Sequence, residues 1–304
     1  MLSRFSRNLF MYASKNKTMN NAAKRWGLQL GASQVVAGRT IESAMQKVQE
    51  LNEVGLACTL DHLGEFVSNK DEAVEATKCN IKTLEAIAEC GVQSQLSVKL
   101  TQLGLDLGAD FCLSNMLLIM EAAKRTKNFV TIDMEDYSHC QMTLDILNEL
   151  HKAYDNIGTV IQAYLYRSQQ DVMELKDVPL RLVKGAYKES AEVAFQNKTE
   201  VDENFLNIIK LHLLNGSYTA IATHDHHIIA KVKSFVEKNK ISHNQFEFQM
   251  LYGFRNELQL QLVSEGYKMR VYVPFGEDWF GYYMRRLAER PQNVSFAIRG
   301  LFSK

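Results

Sequence analysis

Apolar, often β-branched runs bounded by turn residues recur eight times along the chain: Leu56 to Leu60, Gln95 to Leu100, Asn128 to Asp133, Thr159 to Tyr164, Leu180 to Lys184, Tyr218 to Thr223, Phe246 to Leu251 and Lys268 to Val273. Each run predicts a strand. Between them lie segments such as Asp71 to Glu89, Ser114 to Arg125, Met142 to Tyr154 and Glu203 to Leu214, where apolar residues return at helical spacing. Strands that alternate with helices imply parallel pairing through right-handed crossovers, and eight such units can close into a (β/α)8 barrel. An open doubly wound sheet would usually carry fewer strands and a glycine-rich phosphate turn after the first, and no G-x-G-x-x-G follows any of these runs. None of the three prolines, Pro179, Pro274 and Pro291, interrupts an expected strand or helix interior. The fold class expected is therefore α/β, a TIM-like barrel over residues 55–304 preceded by an N-terminal helical arm over residues 1–54, all within one structural domain.

Composition narrows the function classes. With 46% apolar and 23% charged residues the chain can bury a large core. Its 35 basic and 35 acidic residues cancel, which argues against nucleic acid as the main partner. The balance is uneven locally: seven Lys or Arg residues precede the first acid, Glu42, interleaved with Leu2, Phe5, Leu9, Phe10, Met11 and Tyr12. This opening segment can be read as a presequence, as a basic amphipathic helix on a membrane surface, or as a solvated helix of the folded protein. No apolar run approaches the ~18 residues needed to span a bilayer. The five cysteines are scattered, with no C-x-x-C pair, as expected for thiols in a reducing compartment.

A barrel of this kind carries its chemistry at the carboxyl ends of its strands. Here those ends read Asp61-His62, Lys99, Asp133-Met134-Glu135-Asp136, Gln162, Lys184-Gly185, Thr223-His224-Asp225, Gln249 and Tyr272, more ionisable groups than strand termination requires. A last helix is expected from Glu277 to Arg290, stopped by Pro291. On it Tyr282, Arg285, Arg286 and Glu289 fall at i, i+3, i+4 and i+7 and share one face. Two adjacent guanidiniums match a carboxylate in geometry and charge. In isolation, though, an exposed ion pair between Arg285 and Glu289 accounts for them more simply. His224, Asp225, His226 and His227 are adjacent, but no further ligand at a known spacing completes a metal set, so no metal is expected.

The Tyr282 to Glu289 pattern resembles the Y-x-x-R-R-x-x-E signature of proline dehydrogenases, and the resemblance runs through nearly the whole chain. Asp61-His62-Leu63-Gly64-Glu65, Ser97-Val98-Lys99-Leu100-Thr101, Ile132-Asp133-Met134-Glu135-Asp136, Gln162-Ala163-Tyr164, Arg181-Leu182-Val183-Lys184-Gly185-Ala186-Tyr187, Ala222-Thr223-His224-Asp225 and Phe246 to Gly253 resemble that family's strand-end motifs, in its order. The resemblance implies a distorted (β/α)8 barrel with its C-terminal helix over the mouth. It also implies non-covalent FAD, and oxidation of L-proline to Δ1-pyrroline-5-carboxylate by hydride transfer to flavin N5. Carried over, Lys99, Arg285 and Arg286 would bind the substrate carboxylate, with Tyr272 and Tyr282 walling the ring and Glu289 beside them. Asp133, Arg181 and Tyr272 would form the catalytic group. Met134, Gln162, Arg181, Val183, Lys184, Gly185, Ala186, Thr223, His224 and Gln249 would hold the flavin, and Glu65 would close the site as a gate by pairing with an arginine of the last helix. The family's hydroxyproline-oxidising members tend to have a small residue where this chain has Tyr272, so a tyrosine there implies preference for proline.

Electrons would pass to a quinone, with the basic N-terminal segment in peripheral contact with an anionic bilayer. Length, and a match that begins soon after residue 14, favour a stand-alone bacterial enzyme of the cytoplasm. Two other readings stay open from the residues alone: a flavin-independent aldolase or lyase using Lys99 or Lys184 to form an imine, and a non-catalytic carboxylate-binding barrel.

Overall fold

The computed structural model describes residues 32–64 and 67–289. In chain order these form α1 (Ile41–Glu53), β1 (Ala57–His62), α2 (Lys70–Cys90), β2 (Ser94–Val98), α3 (Ala109–Arg125), β3 (Val130–Ile132), α4 (Tyr137–His151), β4 (Ile157–Gln162), α5 (Ser168–Glu174), β5 (Leu180–Val183), α6 (Lys198–Asn215), β6 (Thr219–Ala222), α7 (His226–Lys238), β7 (Phe246–Leu251), α8 (Asn256–Ser264), β8 (Met269–Phe275) and α9 (Trp279–Glu289). The eight strands close into a barrel in sequence order, every neighbouring pair parallel, with β8 returning to β1. The eight expected strands are all present, with ends displaced by up to two residues.

Local chemistry explains why the elements start where they do. The side chain of Asn69 accepts from the Glu72 amide at the start of α2, Asp136 from the His139 amide at α4, and Asp225 from the His227 amide at α7. Asp136 and Asp225 follow strand-end motifs directly, so the turn that leaves the barrel also opens the next helix. At the other end of α2, Gly91 adopts φ +62°, the left-handed cap that glycine accepts without a Cβ penalty.

The period-two alternation sorts side chains between two environments. Leu60, Leu96, Val98, Ile132, Leu182, Ile221, Phe248 and Val271 share one parity and are buried in the main apolar core with the helices. The other parity faces the barrel axis, and on most strands it is polar. Interior layers of such barrels are ordinarily filled by branched apolar residues; this one carries Asp61, Ser97, Asp133, Arg181, Glu247, Gln249, Arg270 and Tyr272. Two ionic layers result. In the lower, Arg270 donates through Nε and Nη2 to Glu247 at 2.6 and 3.0 Å and through Nη1 to the Cys58 carbonyl at 2.7 Å. Tyr218 and Gln249 donate to the same carboxylate at 3.1 and 2.6 Å. Burial opposes ionisation of Glu247, but Arg270 and these donors outweigh it and hold the carboxyl below its usual range.

Pro274 corrects one expectation, because β8 runs on to Phe275 and so includes it. Near the end of the strand its missing N–H interrupts little of the ladder. Its carbonyl remains useful and accepts from the Ala37 amide at 2.9 Å. Beyond β8, α9 packs its Trp279, Phe280, Tyr283, Met284 and Leu287 on Ala32, Val36 and Leu63 in a second apolar cluster, apart from the main core. Leu63 directly follows β1, so α9 lies at the carboxyl end of the barrel. Among the described residues no helix is long and apolar enough to cross a membrane.

Candidate active site

The upper ionic layer forms where β1, β2, β3, β5 and β8 deliver inward-facing residues near their carboxyl ends. Asp133 is its hub. Its Oδ1 accepts from Ser97 Oγ at 2.7 Å and Arg181 Nη1 at 2.7 Å, and its Oδ2 from Tyr272 Oη at 2.6 Å and Lys99 Nζ at 3.1 Å. Lys99 also places its ammonium 3.0 Å from both oxygens of Asp61 and 3.2 Å from Tyr272 Oη. The register makes this convergence possible: Asp61 pairs with Ser97 across β1 and β2, Ser97 with Thr131 across β2 and β3, and Thr59 with Tyr272 across β1 and β8.

The two carboxylates differ in character. Burial opposes charge on Asp133, yet Lys99, Arg181, Ser97 and Tyr272 together hold its carboxyl below the usual aspartate range. Burial also dominates at Asp61, where Lys99 only partly offsets it and the nearby Asp133 charge adds to it, so its carboxyl is raised. Burial between these acids pushes the Tyr272 phenol well up, keeping it a neutral donor.

Between β3 and β5, at the end of β4, Gln162 donates its amide nitrogen to the Glu135 carbonyl at 3.0 Å, with a longer contact to that of Met134. This fixes the amide so that its oxygen is the group left to present. That oxygen, together with Nε and Nη2 of Arg181, is buried without a hydrogen-bond partner among the described residues. One acceptor and two donors left unsatisfied in one barrel mouth fit a planar heterocycle with complementary edges. Gly185 adds to the fit. Its φ is +107° and a Cβ there would lie 2.2 Å from the Tyr164 ring, so only glycine lets the chain run close over this ring after β5.

Other expected residues fall as follows. Met134 is buried just after β3, Val183 ends β5, and Ala186 is exposed on the following loop. Lys184 bonds Asp225 at 2.9 Å and pairs with Asp202 at 2.5 Å, and it draws the Asp225 carboxyl down to about 2 against the opposing effect of burial. Thr223 Oγ1 accepts from the Asp225 amide, and His224 Nε2 accepts from the Leu251 amide at 3.0 Å, which leaves the ring proton of a neutral His224 on Nδ1. Gln249 spends its amide nitrogen on Glu247 in the lower layer. Tyr282 is buried on α9, with Arg285 and Arg286 half-buried beside it and the Arg286 guanidinium 5.1 Å from the Tyr282 ring centroid. Glu65, the side chain of Glu289 and the basic N-terminal segment lie outside the described residues.

Geometry also adds residues that no role was expected for. Asp61 and Ser97 belong to the network itself. Glu135 accepts from the amide and hydroxyl of Thr101 at 3.0 and 2.6 Å, tying the loop after β2 to the one after β3. The signal for Asp61 and Ser97 was present as parity, since Ser97 is two residues before Lys99 and Asp61 lies two residues after Thr59 on the neighbouring strand.

A family model described as proline dehydrogenase matches residues 44–299. The chain belongs to the proline dehydrogenase family. It is 50% identical over 300 residues to proline dehydrogenase 1 of Bacillus subtilis, covering 98% of this chain and 99% of that one. It is 43% identical to the proline dehydrogenase of Deinococcus radiodurans, covering 91% of each. Among solved structures, proline utilization A from Bdellovibrio bacteriovorus, inactivated by N-propargylglycine, superposes with a TM-score of 0.81 at 27% identity over 87% of this chain. The match spans 32% of that longer chain. Membership in the proline dehydrogenase family makes the chain an oxidoreductase that acts on proline in the first step of its catabolism, and it implies a flavin.

Proposed function

We propose that the chain oxidises L-proline at its N–C5 bond to Δ1-pyrroline-5-carboxylate, using FAD held in the barrel mouth and passing electrons on to a quinone. The observation that carries the reading is the Lys99, Asp133, Arg181 and Tyr272 cluster, with unsatisfied polar atoms on Arg181 and on Gln162 of the adjacent strand. Bound FAD would supply the two-electron acceptor for the hydride that leaves C5.

In this reading Lys99, with Arg285 and Arg286, receives the substrate carboxylate, and Glu289 sits beside them. Tyr272 and Tyr282 wall the ring, while Asp133 fixes Tyr272, Lys99 and Arg181 in one arrangement. Gln162 and Arg181 present hydrogen-bonding groups to the flavin ring, with Met134, Val183, Gly185 and Ala186 lining its approach. Lys184, Thr223 and His224 stand near the helix-opening turn at Asp225, and Gln249 braces the barrel below. Glu65 would close the mouth against an α9 arginine, and the basic N-terminal segment would touch an anionic bilayer.

The arrangement argues against the imine-forming alternative. An amine nucleophile must be neutral, and such lysines lie in apolar pockets or beside other cations. Lys99 and Lys184 each sit against two carboxylates instead.

The test is proline-dependent bleaching of flavin absorbance in the purified holoprotein, with turnover by an artificial acceptor. Bleaching supports oxidation, whereas a protein that stays colourless after addition of FAD, or binds proline without bleaching, overturns it. A second expectation concerns selectivity. A phenol at Tyr272, fixed through Asp133, leaves little room for an added ring hydroxyl. Proline should exceed trans-4-hydroxy-L-proline in kcat/KM by about two orders of magnitude or more, and Tyr272→Ser should narrow that ratio. Comparable values for the wild-type protein would rule out the steric role.

A further inference from the structure

Lys99 touches two carboxylates, and they are not equivalent. Asp133 divides its oxygens among four donors from four residues. Asp61 directs both of its oxygens at Lys99 Nζ, each at 3.0 Å, from a side chain on β1 that is 2% exposed. A lysine is a point charge on a flexible four-carbon stem, so its position depends on what holds it. Here β1 and β3 hold it from two sides. We propose that Asp61 is a positioning residue for the substrate: it locks the Lys99 ammonium where it meets the proline carboxylate, and protonation of Asp61 releases that lock. The inference rests on Lys99 binding the substrate carboxylate, as argued above.

Among the described residues, removing Asp61 leaves Asp133 as a carboxylate bonded to Lys99. Asp133 is already shared with Arg181, so the ammonium would relax toward it and away from the substrate. Acid should have the same effect. The groups facing Asp61 are Lys99 directly after β2, Asp133 directly after β3 and Tyr272 from β8, with Arg181 of β5 acting through Asp133 and His62 next along β1. Burial and the Asp133 charge favour the neutral form of Asp61, so its lock opens at a higher pH than an ordinary aspartate would allow. Asp133 is held low and Tyr272 high, and neither titrates in that interval. Burial lowers His62 from its usual value, so it is the neighbour whose titration must be told apart.

The experiment measures KM and kcat for proline with an artificial acceptor, on flavin-loaded wild type, Asp61→Asn, Lys99→Met and the double variant, from about pH 5 to about pH 8.5. Wild-type KM is expected to rise on acidification. Asp61→Asn should raise KM at neutral pH by about tenfold, as loss of a charge-assisted contact would, with kcat changed less than about twofold. Its KM should no longer rise in acid, which a His62 titration would leave in place. In the Lys99→Met background the same substitution should raise KM by less than about twofold. Equal effects in the two backgrounds, or an acid rise that survives in Asp61→Asn, would overturn the proposal. Should Asp61→Asn fail to fold with flavin, His62→Gln takes its place: an acid rise in KM that persists in that variant supports the proposal, and one that disappears overturns it. Lys99→Met with unchanged KM would instead remove the carboxylate role of Lys99, and this inference with it.

Discussion

Asp133→Asn should lower kcat/KM for proline by about two to three orders of magnitude while leaving the barrel folded. The reason is acceptor geometry. The carboxylate presents two oxygens, and each takes two donors: Ser97 and Arg181 on one, Tyr272 and Lys99 on the other. An amide of the same shape presents one oxygen, so two of the four donors must face an NH2 group. Arg181 and Lys99 both lose the Asp133 charge, Lys99 keeping Asp61, and whichever way the amide turns one of these two groups, proposed to face flavin and substrate carboxylate, must face its NH2. Because its surroundings keep Asp133 ionised below the usual aspartate range, activity near neutral pH should not vary with its titration. Single-turnover bleaching of the flavin by saturating proline separates chemistry from binding. A rate within about fivefold of wild type would show that the hub organises structure without serving the reaction.

The second large effect concerns stability. Glu247→Leu should destabilise the fold by about 3–5 kcal/mol, because Arg270 would remain in the barrel floor with no counter-charge. The pair is almost fully enclosed, with side chains 3% and 13% exposed, so solvent screening offers little relief. Adding Arg270→Met should recover most of that loss, since replacing both members of a buried pair with apolar groups is often neutral. Denaturant unfolding of the single and double variants measures both, and a double variant no more stable than the single one would contradict the argument. The pair also fixes a pH dependence. The folded-state pKa of Glu247 is lowered, so its contribution is fully present above the ordinary glutamate value of 4.5 and is lost as pH falls through the lower folded value. Acid unfolding of the wild type should therefore be steeper than that of the double variant.

Much of this was written in local patterns. Short apolar, often β-branched runs bounded by turn residues marked all eight strands because a strand buried against helices must present apolar residues on that face whatever the rest of the chain does. Strand ends marked Lys99, Asp133 and Tyr272, whose positions were also carried by resemblance, whereas Arg181, at the start of its strand, came from resemblance alone. Boundaries were less legible. The first strand was expected to stop at Leu60 and runs to His62, because Asp61 and His62 still pair with Pro274 and Phe275 of β8, a partner more than two hundred residues away. That extension is what turns Asp61 into a strand residue with an inward side chain.

By itself, the sequence determined the alternation of elements, the parity of each strand and the chemical types collected at one end of the barrel, since all of these follow from periodicity within a few residues. Tertiary structure alone decided which carboxylate meets which cation. Asp61, Lys99, Asp133, Arg181 and Tyr272 come from five strands, and hydrogen-bond distances between them are set by the register of a closed sheet, a property of the whole ring. The same closure places Glu247 and Arg270, unremarkable in a linear reading, in an ionic floor beneath the site. Local propensity carries no information about such pairings, because exchanging partners around the ring would leave every run and every helix pattern unchanged.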